Sequence, residues 1–117
     1  NLPFVEGVGL AFDHHSSETI RNKEVKDNHI IVADAPSAAE VVYQYYGGDD
    51  SFPEKFRPMM DAANKADAAM FSADDILNPK GWDLLSFLMD ARTGLGRFHH
   101  FRISNYNLMM DLIDYCK

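Results

Sequence analysis

Three adjacent side chains, Asp13, His14 and His15, carry the strongest chemical signal in the sequence. A carboxylate and two imidazoles are hard-oxygen and neutral-nitrogen donors, a set that divalent transition metals such as manganese accept. They follow Val8-Gly9-Leu10-Ala11-Phe12, an apolar run without alternation. Such a run predicts a strand buried on both faces of a mainly parallel sheet. Open α/β sheets hold their ligands at the carboxyl ends of those strands. That placement favours a functional role over a pair of packing histidines.

A fourth polar residue stands out by its surroundings. Helical spacing puts Met60, Ala63, Asp67, Met70 and Phe71 on one face, so Asp67 interrupts an apolar stripe. A carboxylate buried there without a partner would cost several kcal/mol. Either the helix frays near Ala66 and Asp67 reaches water, or Asp67 points at the same site as His14. Other polar clusters have plainer readings. Asp74 and Asp75 suit a helix amino terminus. His99 and His100 read as linker residues among aromatics, with Arg97 or Arg102 as alternative phosphate contacts. Arg21 or Lys23 could reach a phosphate from a lid over the strand end.

The elements that would position these residues follow from pattern. Ser16 to Asn28 is polar and reads as a loop with one helical turn at most. His29-Ile30-Ile31-Val32-Ala33 is β-branched and predicts a second buried strand, with His29 as an edge residue rather than a ligand. Ser37 and Glu40 stand in capping-box register ahead of a helix with the stripe Ala38, Val41, Val42, Tyr45 and Tyr46, closed by Gly47-Gly48. Pro58 predicts that the next long helix starts near it, after a short turn from Ser51 to Arg57. A start at Ser72, a break at Asn78-Pro79, a helix from Trp82 to Ala91 and a last helix capped by Ser104 complete the chain. Trp82, Leu85, Leu88 and Met89 supply one packing face, and Leu108, Met109, Leu112, Ile113 and Cys116 another. The fold class is α/β: a small, mainly parallel sheet of about two strands followed by a helical half, in a single domain over residues 1–117.

The chain has 117 residues and a formal net charge of −7. The acidic balance argues against long nucleic acid, and an anionic substrate would need bound metal or added basic groups to offset repulsion. The single cysteine, Cys116, cannot form an internal disulfide and reads as a packing residue in a reducing cytoplasm. No apolar run approaches a membrane span, and the first residues are not a signal peptide.

At Asp13-His14-His15 the sequence resembles the DHH phosphoesterase superfamily. Residues 66 to 76 and Pro79-Lys80-Gly81-Trp82 look closest to its exopolyphosphatase-like branch. The resemblance implies two-metal hydrolysis of a phosphoanhydride or phosphodiester, with Mn²⁺ as cofactor and Mg²⁺ or Co²⁺ as substitutes. It makes His14 and Asp67, 53 residues apart, ligands of one metal. Asp13 would orient an imidazole, and His15 would contact the phosphate or protonate the leaving group. The substrate would be a phosphorylated small molecule or a short oligonucleotide. The family's earlier motifs have no counterpart ahead of Val8, so the chain is expected to be an inactive fragment of a larger domain, consistent with its Asn1 start. An unpaired sheet edge could let copies associate. The competing reading is a non-catalytic α/β binding or interaction module whose Asp13, His14 and His15 frame a polar or regulatory metal pocket.

Overall fold

A computed structural model describes residues 4–21, 26–90 and 100–117. The chain is α/β and groups into two compact units, Asn1–Phe52 and Pro53–Lys117. Among the described residues, no helix is long and apolar enough to cross a membrane.

The first unit is built on two short parallel strands, β1 (Ala11–Asp13) and β2 (His29–Ile31), joined through α1 (Ser16–Arg21). Ala11 pairs with His29, Phe12 with Ile30 and Asp13 with Ile31. β1 is shorter and later than the apolar run predicts, and it is half-buried up to Asp13. Val8 is exposed, because β2 offers ladder partners only from His29 onward. Of the polar stretch after the strand, residues 16–21 form α1, somewhat more than the single turn expected, with Glu18 buried.

α2 (Ala38–Tyr45) begins as its cap predicts: the backbone N–H of Glu40 donates to Ser37 Oγ at 3.0 Å. Its core residues are Val41 and Tyr43, whereas Tyr45 and Tyr46 are exposed. The predicted stripe therefore misplaced the tyrosines. Tyr43 stacks on Phe52 with ring centroids 4.8 Å apart and donates from its hydroxyl to Asp49 at 2.8 Å. Tyr45 and Tyr46 instead flank Phe12, at 5.1 and 6.2 Å. Gly47 ends the helix at φ 106°, and a Cβ there would collide with the Ser51 side chain.

The second unit is helical: α3 (Phe56–Asp67), α4 (Ala73–Leu77), α5 (Gly81–Met89) and α6 (Asn105–Cys116). α3 opens at Phe56, with Pro58 in its first turn, where no N–H is needed. Its buried residues are Met60 and Asn64. At its far end Ala69 adopts φ 53°, Ala69 N–H donates to Ala66 and Met70 N–H to Lys65, the double bond pattern of a Schellman stop with alanine where glycine is usual. Ser72 and Asp75 form a complete capping box on α4. Ser104 Oγ accepts from Asn107 N–H at 3.2 Å to start α6, whose Cys116 is fully buried.

Lys65 ties three of these helices together. Its Nζ donates to Asp83 at 2.7 Å and pairs with Asp75 at 2.9 Å. The Asp83 and Asp75 carboxylates hold the ammonium above its ordinary pKa, and Lys65 together with the Ser72 N–H and hydroxyl lowers Asp75 to about 2. The stabilisation from Lys65 is present below about 10.5 and fades as pH rises through its raised value. That from Asp75 is present above 3.8 and fades as pH falls toward about 2. Lys65→Met is therefore expected to lower the thermal midpoint at neutral pH and low salt. The difference from wild type should shrink toward pH 2 and in about 1 M salt, as thermal melts at each condition would record.

Candidate active site

Asp13 organises the site. It ends β1, is only 2% exposed, and its Oδ1 accepts from the N–H of His14 at 2.7 Å and that of His15 at 3.0 Å. This side-chain turn bends the chain sharply off the strand. The same oxygen accepts from His15 Nδ1 at 2.7 Å. Burial alone would push the Asp13 carboxyl up, but the His15 N–H, the His15 ring and the His14 N–H together outweigh it and hold the group below its ordinary value. Asp13 is thus an anion fixed at the strand end by its own two successors.

His14 is fixed from the other side. Its Nδ1 lies 3.0 Å from the Ala35 carbonyl oxygen, and since a carbonyl only accepts, Nδ1 carries the proton and Nε2 the lone pair. Ala35 precedes Pro36, which biases it toward extended backbone, and Ser37 then caps α2. The loop that starts α2 therefore sets the imidazole's tautomer. His15 is half exposed, with its ring centroid 4.5 Å from that of His14. Its Nδ1–H faces Asp13, so its Nε2 is the nitrogen left for a ligand. The structure thus brings Asp13, His14 and His15 together at the strand's carboxyl end.

Asp67 belongs to the second unit. It is the last residue of α3 and is exposed, so the expected buried carboxylate in an apolar stripe is not found. The stripe failed because Asn64, a polar residue, takes the inward position and the helix stops before Met70. Asp75 caps α4 as the sequence predicts. His100 and Arg102 are exposed ahead of α6. Arg97, His99, Lys23 and the Arg21 side chain lie outside the described residues.

Two buried polar residues escaped the sequence reading. Glu18 and His29 are 5% and 9% exposed, and each offers a ligand atom that, with one from Asp13, makes a set lying within 4.8 Å of one another. The strand register could have found His29. Its pairing with Ala11 puts it on the same sheet face as Asp13, two residues on.

No protein-family model and no curated protein matches the chain. Among solved structures it is similar to the pGpG-specific phosphodiesterase PggH from Vibrio cholerae, with 52% sequence identity and a TM-score of 0.78. The match covers 99% of this chain and 35% of that one, so the chain spans about a third of that protein's length. Identity at that level is a likeness of sequence as well as of fold, here to a phosphodiesterase, and it does not single out the exopolyphosphatase-like branch.

Proposed function

We propose that this chain supplies part of the active site of a metal-dependent phosphodiesterase acting on a short phosphorylated oligonucleotide, a dinucleotide such as pGpG. The carrying observation is the His14 ring, whose Nδ1–H is committed to a backbone carbonyl. Metal-ligating histidines are oriented in this way, with the second nitrogen's lone pair aimed outward. The likeness to PggH supports the substrate class.

In this reading His14 Nε2 and the Asp67 carboxylate are ligands, and their oxygen and nitrogen donors fit Mn²⁺, with Mg²⁺ or Co²⁺ as substitutes. When bound, the ion supplies Lewis-acid polarisation of a phosphoryl oxygen and offsets the chain's acidity toward an anionic substrate. Asp13 positions His15 through the 2.7 Å bond to its Nδ1. With a second proton on Nε2, the His15 imidazolium either donates to a phosphate oxygen or passes that proton to the departing oxygen and is left neutral, its Nδ1–H still on Asp13.

The test is a chimera in which this chain replaces the matching third of PggH. Hydrolysis of pGpG that requires added Mn²⁺ is the expected result. A folded chimera that binds Mn²⁺ but hydrolyses only polyphosphate would move the reading to a phosphoanhydride substrate. One that binds metal and hydrolyses neither would leave a metal-holding interaction module.

A further inference from the structure

We propose that Asp13, Glu18 and His29 form a second binding site, for one divalent cation, on the sheet face that carries Asp13. All three side chains are more than nine-tenths buried, at 2%, 5% and 9% exposed. Donors bonded to one ion at 2.0–2.2 Å can stand at most about 4.4 Å apart. The three ligand atoms lie within 4.8 Å of one another, and three donors evenly spaced around one ion stand about 3.8 Å apart, so the side chains would close by up to about 1 Å to share one ion. The His29 ring packs on Phe4, with centroids 4.9 Å apart.

Three N–H groups already fill Asp13 Oδ1, which leaves Oδ2 with lone pairs to give. Two oxygens and one imidazole nitrogen suit Mn²⁺, Fe²⁺ or Zn²⁺ and not a soft monovalent ion. An ion held here would fasten α1 to both strands. The inference does not depend on the phosphodiesterase reading, with which it shares only Asp13.

Mn²⁺ titration of the 117-residue chain, followed by the spin resonance of free metal and by thermal melts, tests it. Wild type should bind with saturation and melt at a higher temperature with Mn²⁺. Glu18→Gln and His29→Gln should each weaken this binding by at least about tenfold and lose the thermal gain. Binding unchanged in both variants, binding abolished by His14→Ala alone, or no saturable binding in wild type overturns the proposal. Circular dichroism shows whether each variant is folded. A nitrogen–proton spectrum of the wild-type chain needs no variant at all: Mn²⁺ should broaden the Glu18 and His29 amides at the lowest additions, and broadening that spares them also overturns it.

Discussion

Replacing His14 with alanine in the PggH chimera is expected to cut pGpG hydrolysis by at least about 100-fold. The bound chemistry depends on the lone pair that this ring, held by Ala35, presents at the strand end. The fold should survive. The His14 ring is half-buried and bonds a backbone carbonyl, and losing a hydrogen bond of that kind costs on the order of 1 kcal/mol. Assays across Mn²⁺ concentration, with urea unfolding alongside, separate the two effects. A His14→Ala chimera that keeps wild-type turnover at every Mn²⁺ level would sink the ligand assignment.

Asp13→Asn should act differently, because Asp13 reaches the substrate only through His15. The amide keeps an acceptor for the two backbone N–H groups but gives up the charge that strengthens all three bonds. A loss of about 1–3 kcal/mol at neutral pH follows. Asp13 titrates below its ordinary value in the folded chain, so its contribution is fully present above the unfolded value near 3.8 and disappears as pH falls through the folded one. Wild type and Asp13→Asn should thus converge in stability toward low pH. In the chimera the variant should lose on the order of 100-fold in kcat with little change in KM, since His15 is mispositioned rather than removed. Urea melts across pH and steady-state kinetics check both halves. An equal stability gap at pH 2 and pH 7, chosen as roughly the two ends of the range, would show that the Asp13 charge is not what holds the turn.

What could be read from the sequence was local chemistry. Asp13-His14-His15 at a strand end, the caps at Ser37, Ser72 and Ser104, and the α/β class all depend on short-range spacing and on backbone groups needing partners. The misreadings arose where burial depends on a neighbour distant in sequence. Tyr43 rather than Tyr45 is core because Phe52 and Asp49 fold back to receive its ring and hydroxyl. Asn64 is buried within the stripe that had been assigned to Asp67. Glu18 lay in a stretch that reads as a loop and His29 reads as a strand-edge residue, but α1 and the strand pairing bring both near Asp13.

The stop of α3 has a consequence for Asp67. Backbone dipoles sum along a helix to leave partial negative charge at its carboxyl end. Asp67 adds a full negative charge to that last turn, a placement that costs the helix roughly 0.3–1 kcal/mol. Asp67→Asn should therefore raise the urea midpoint of the metal-free chain. The α3 terminus and the carboxylate together concentrate negative potential at one point, so a cation arriving there relieves a repulsion built into the helix.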